Sequence, residues 1–92
     1  MQIDGWDWDD HNLAHLGGRG LGRQTVLQVA QEAPRFKENL KGRAATHQMI
    51  GPDHGGGMWV VCIVRTPREG IWRAITGWRA EPEDEAWHRR QS

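Results

Sequence analysis

Gly70-Ile-Trp-Arg-Ala-Ile-Thr-Gly-Trp-Arg-Ala-Glu-Pro-Glu-Asp-Glu-Ala-Trp-His-Arg-Arg90 is the stretch whose reading decides the fold. Ile71 to Trp78 is rich in β-branched and aromatic residues and has no internal proline, which predicts a strand with the character of a central one. Pro82 follows at once and suits a first helical position, where its missing N–H is no loss and its φ is already set. Glu83, Asp84 and Glu85 fill the first turn and Arg89 and Arg90 the last, so both ends complement the helix dipole. Glu81 is a poor N-cap beside Ser, Thr or Asp. Within this strand–helix unit Asp84 and His88 stand four apart on one helix face. Arg73 and Arg79 are an even number of residues apart, which places both on one face of a regular strand.

Working outward, Met58-Trp-Val-Val-Cys-Ile-Val64 is apolar on both faces and reads as the central strand. Arg35–Leu40 and Arg43–Ile50 precede it, joined by a turn at Lys41-Gly42, and the run is antiparallel. Pro67 to Gly70 makes the turn into the last strand. The glycines at 55–57 lie between two strands. With no helix N-terminus behind them they suit a flexible hairpin better than a phosphate cradle. Upstream, the residues from Ile3 alternate as a short strand would, with Trp6 and Trp8 on one side and Asp7 opposite. Asp9 or Asp10 caps a helix that runs through Leu16 to the Gly17-Gly18 pair. A second helix, Gly22–Gln31, carries Val26, Leu27, Val29 and Ala30 on its apolar side and is closed by Pro34. The expected architecture is a single α+β domain over residues 1–92. It has a short N-terminal strand, two helices, an antiparallel sheet of about four strands and a C-terminal helix.

Composition narrows the rest. Ninety-two residues with 37% hydrophobic content allow only a small core, to which six tryptophans and one Phe contribute large areas. Trp8, Val60, Cys62, Ile75 and Trp87 are expected to be mostly buried. No stretch approaches a membrane span and no signal peptide is expected. One cysteine, Cys62, excludes an internal disulfide and fits a reducing cytoplasm; in its apolar run it reads as a core residue, not a nucleophile. The formal net charge of zero hides a segregation. Residues 1–10 hold four acids and no base, residues 81–85 do the same, and residues 11–80 carry ten Lys or Arg against four acids. A basic middle with acidic ends can bind nucleic acid locally, although on the charge counts alone a well-solvated surface is the favoured reading.

A family resemblance rests on Trp8-Asp9-Asp10-His11-Asn12, His15, Gly20-Leu21 and Pro34-Arg35-Phe36, and on Trp72-Arg73-Ala-Ile-Thr-Gly-Trp-Arg-Ala80 before the final helix. Together these resemble the BrnT family of type II toxins, over nearly the whole chain. The chain departs from the family pattern at Arg19, where His is common, at Asp84, where Glu is usual, and at His88, where Tyr is usual. The resemblance implies a RelE-like α+β fold, ribonuclease activity on mRNA without a metal or cofactor, and a heteromer with a ribbon-helix-helix antitoxin. The alternative is a non-catalytic module that keeps only the antitoxin-binding surface.

RNA cleavage of this kind needs a proton acceptor for the 2′-hydroxyl, cations to hold the phosphate, and a donor for the leaving oxygen. Arg73, at the family's Arg position, and Arg79 suit the phosphate role, against a plainer part for Arg73 in a sheet salt bridge. His88, tuned by Asp84, and His47 are the candidate proton carriers, each set against a simple solvated or satisfied histidine. Arg43 and Arg65 are candidate RNA-binding cations, and Trp59, Trp72 and above all Trp78 candidate base-stacking surfaces. His11 and His15, at i and i+4 with Asp7 upstream, make half of a zinc site that nothing in the sequence completes.

Overall fold

The computed structural model describes residues 2–40 and 44–91. The elements are β1 (Gly5–Trp6), α1 (Asp10–Gly17), α2 (Arg23–Gln31), β2 (Arg35–Glu38), β3 (His47–Pro52), β4 (Met58–Arg65), β5 (Ile71–Arg79) and α3 (Pro82–Arg90). The α+β class is as expected, and the short N-terminal strand joins the expected antiparallel run to make a five-stranded sheet in the order β1-β5-β4-β3-β2. It is also mixed: β2 to β5 form the antiparallel run, and β1 lies parallel to β5 through Gly5↔Ile71 and Trp6↔Trp72. Two residues give no periodicity of their own, so only their partner on β5 makes β1 part of the sheet. The Lys41-Gly42 turn and the expected strand start at Arg43 lie outside the described residues. β4 takes the central position that its two-sided apolar character requires.

Alternation along the strands divides the core into two layers. Trp59, Val61 and Ile63 of β4 face α1 and α2 and pack with Leu16, Leu21, Val26, Val29, Met49, Trp72 and Ala74. On the other face Ile50, Val60 and Cys62 are buried, with Trp87 of α3 and Trp78 of β5 beside the buried Gln48. α3 buries no residue completely. Of the five residues expected in the core, Val60 and Cys62 are buried, whereas Trp8, Ile75 and Trp87 are only half-buried. Trp8 packs at the margin of the first layer, and the bulged Ile75 lines a cavity beside α1. Trp87 belongs to the small second layer, where one nine-residue helix has too little apolar surface to cover a whole sheet face.

β5 contains a bulge. Cys62 pairs with Thr76 but Ile63 pairs with Ala74, which leaves Ile75 as an extra residue. The face-sharing expected of Arg73 and Arg79 is therefore overturned. Arg73 stands opposite Val64 and Arg79 opposite Trp59, an odd number of residues apart on the regular strand β4, so the two arginines project from opposite faces. Gly77, just past the bulge, sits so close to Leu21 and to the Val60 carbonyl oxygen (2.7 Å from an ideal Cβ) that no side chain fits.

Beyond Trp72 the outer edge of β5 is covered by α1 instead of a strand, and one side chain makes the junction. Asn12 is 3% exposed. Its amide nitrogen donates to the carbonyl oxygens of Asp7 and Ala74, each at 3.3 Å. Its Oδ1 accepts from the Asp9 N–H at 2.8 Å, while Asp9 Oδ1 accepts from the Asn12 N–H at 2.9 Å, a reciprocal capping box. Asn12→Ala should lower the stability measured by urea unfolding by about 1–3 kcal/mol, because it strands a buried strand carbonyl. Trp72→Ala should cost ~3–5 kcal/mol and the half-buried Trp87→Ala clearly less, a ranking the same urea midpoints check.

Candidate functional site

The candidate residues occupy separate places. Arg73 lies at the β5 edge, beside the capped start of α1. Its Nη2 is 2.9 Å from Asp9 Oδ2 and its Nη1 3.5 Å from Asp7 Oδ2. Asp7 and Arg73 meet because β1 and β5 run parallel, which brings the acidic N-terminus onto the basic strand. The Asn12 backbone N–H, with help from Arg73, holds the Asp9 carboxyl below its ordinary value near 3.8. Between α1 and β5 opens a cavity of about 300 Å³, lined by His11, Asn12, His15, Arg73 and the bulged Ile75. His15 Nε2 reaches Thr76 Oγ1 at 3.4 Å. Arg73 thus forms ion pairs, to acids before α1 and not across the sheet, and it also lines a cavity.

Arg79 is at the far end of β5, on the opposite face, with its guanidinium 5.0 Å from the Trp59 ring centroid. Trp59 Nε1 donates to Asp53 Oδ2 at 2.9 Å, and Asp53 Oδ1 accepts from Gly55 and Gly57 N–H at 2.9 Å each. The Trp59 indole N–H first, then the Gly57 N–H, depress the Asp53 carboxyl below 3.8. The glycine loop is therefore organised by a carboxylate, which the sequence reading as a simple flexible hairpin did not include.

His47 and Arg65 do converge, on Trp72. Arg65 lies 5.3 Å from the ring centroid and His47 meets the ring edge-on at 5.5 Å. His47 Nδ1 also pairs with Thr46 Oγ1 at 2.8 Å. Arg65 in addition lines a cavity of about 570 Å³ with Arg68, Asp4 and Glu69. Trp59 and Trp72, candidate stacking surfaces in the sequence, are 6% and 2% exposed and have no free face to offer a base. Trp78 is half-buried and lines a cleft of about 470 Å³ under α3, with Lys37, Gln48 and Trp87.

His88 is elsewhere again. Its Nε2 lies 3.1 Å from the Ala33 carbonyl oxygen, just before edge strand β2. Ala33 has φ 36°, a left-handed conformation that a non-glycine residue adopts only when neighbours hold it. Asp84, expected to tune His88, instead accepts the Glu81 N–H at 2.9 Å and supplies the cap that Glu81 by itself lacks. Three strand spacings of about 4.8 Å separate β5 from β2, so His88 and Arg73 do not share a site. Arg43 lies outside the described residues.

The residues that do gather with Arg73 are His11 and His15. Their i, i+4 spacing was legible, but it pointed to half a zinc site, and nothing local showed that β5 runs alongside. Among the described residues no group of three or more His, Cys, Asp or Glu is placed to hold a metal ion. Cys62 is buried, and burial pushes its thiol up to about 11. None of the described helices is long and apolar enough to cross a membrane. No protein-family model matches the chain, and no curated protein matches it.

The Asp9 and Asp53 carboxyls lie below their unfolded value, so each favours the folded state above about pH 3.8 and loses that contribution as pH falls through the depressed value. Asp53→Asn should therefore lower the thermal midpoint at pH 7 more than at pH 2.5. Equal losses at both pH values would show that the hydrogen bonds matter and the charge does not.

Proposed function

We propose that this chain is the toxin of a type II toxin–antitoxin pair, a BrnT-like endoribonuclease that cleaves mRNA, acts in the cytoplasm, and is held inactive by a ribbon-helix-helix antitoxin. One observation carries the reading: Arg73, at the position that resembles the family's arginine, lines a surface cavity instead of closing a sheet ladder. Its side chain is 21% exposed, and its partners Asp7 and Asp9 are 48% and 52% exposed. Ion pairs whose acids are half-exposed exchange with water or with a phosphate at little cost. The planar guanidinium can then hold two phosphate oxygens at once and stabilise the charge that grows on them during in-line attack.

The second reading, a non-catalytic module that binds an antitoxin, has its own observation. His88 is bonded to the Ala33 carbonyl and Asp84 to the helix cap, so the acid–imidazole pair at the chain's end is occupied with structure. The positive surplus of residues 11–80 also does not form one basic face, since Arg73 and Arg79 point to opposite sides.

Induced expression separates the two readings. The toxin reading expects growth arrest and new RNA ends by primer extension; normal growth with intact RNA favours the binding module. Arg73→Ala should then lower RNA cleavage by ~10²-fold or more, the scale of losing one charge-stabilising donor. Arg73→Lys should restore only part, because a point charge lacks the fork. The thermal midpoint should stay near wild type in both variants. A parallel loss of cleavage and midpoint would make Arg73 structural.

A further inference from the structure

Two imidazoles and a guanidinium line the cavity between α1 and β5, and the Thr76 hydroxyl stands 3.4 Å from the His15 ring. His11 and His15 are both exposed, so neither is spent on the core. They lie on one face of α1, separated by about 6 Å of helix rise. That separation suits two groups that must reach the two apical oxygens of a phosphorus undergoing in-line attack, one on each side. Their placement against Arg73 is not left to loop motion. Asn12, on the same helix, ties α1 to the Ala74 carbonyl, and the bulge at Ile75 sets where β5 meets it. Catalytic groups gain most when the scaffold holds them in register before substrate arrives.

We propose that His11 and His15 are the proton-transfer pair of the Arg73 site, acting on an RNA phosphodiester; the inference rests on the ribonuclease reading above. The neutral ring of the pair takes the proton of the ribose 2′-hydroxyl as that oxygen bonds to phosphorus. The bond from phosphorus to the 5′-oxygen breaks, and the protonated ring gives its proton to the departing oxygen. The products are a 2′,3′-cyclic phosphate and a 5′-hydroxyl end. One proton is gained and one lost, so the pair ends with its protonation exchanged and no co-reactant is consumed. Arg73 neutralises the non-bridging oxygens throughout. The charged groups around the two rings are Asp9 and Asp10 at the start of the helix, Asp7 before it and Arg73 on β5; Thr76 adds the hydroxyl, and Asp9 is close enough to His11 to feel its charge.

The test uses the full chain and an end-labelled RNA oligonucleotide, with a 2′-deoxy copy as the blocked substrate. His11→Gln and His15→Gln should each lower cleavage by ~10²-fold or more, the usual range for losing a proton-transfer group. Each should also flatten one limb of the pH–rate profile, while His54→Gln, at an exposed histidine of the β3–β4 loop beside Glu32 and outside the cavity, leaves rate and profile unchanged. Both variants should keep the wild-type thermal midpoint, since both rings are exposed. Independently of cleavage, inorganic phosphate should shift the side-chain NMR signals of His11 and His15 together, and Arg73→Ala should abolish the shift. If wild type cleaves and both glutamine variants cleave as well, the pair is wrong and the ribonuclease reading stands. A wild-type chain inert on RNA sinks the ribonuclease reading and the pair's chemistry with it, and a surviving phosphate shift would then mark an anion site only.

Discussion

The structure depends on the junction that Asn12 makes between the start of α1 and the edge of β5. An edge strand longer than its neighbour exposes backbone carbonyls that must be bonded or solvated. β1 covers only the first two residues of β5, at Ile71 and Trp72. Past that point the Asn12 amide takes the Ala74 carbonyl, and the rest of Asn12 is used by the Asp7 carbonyl and the Asp9 cap. One side chain therefore ends a strand pairing, starts a helix and fixes the angle between them. The placement of Leu16 in the core, and of His11 and His15 over the cavity, follows from that angle.

The bulge at Ile75 has the second-largest consequence. It lets Ala74 face the core on one side of the extra residue and Gly77 on the other, where Leu21 leaves no room for a side chain. The same half-step turns Arg73 and Arg79 to opposite faces. A cation cluster that regular alternation would have built on one face is thus divided into two. One part meets the acids of the N-terminus, and the other covers Trp59 beside Asp53.

Aliphatic side chains fill most of the core, two buried tryptophans add large areas at its margin, and cations cover what they leave open. Trp59 and Trp72 are buried, and each is covered by an arginine at its rim. Trp87 is half-buried under Lys37, 5.0 Å from its ring centroid. Such contacts let a small core end in charged side chains without a large apolar patch at the surface.

Much of this was legible in the residues themselves. The strand–turn–helix from Ile71 to Arg90, the centrality of Met58–Val64, the Asp9 cap and the two N-terminal helices are local patterns, and local physics decides them: side-chain period, turn chemistry and end charges. The residues that line the α1–β5 cavity were also visible, since an arginine on a strand and two histidines four apart stand plainly in the sequence, although the histidines read there as half a zinc site. Their association was not. The parallel pairing of β1 joins residues 65 or more positions apart, the bulge reverses a face without any glycine or proline at Ile75 to announce it, and Ala33 draws His88 away from the acid one turn before it. These are choices among non-local partners, settled by which arrangement leaves no buried polar group unpaired, and only the folded chain could make them.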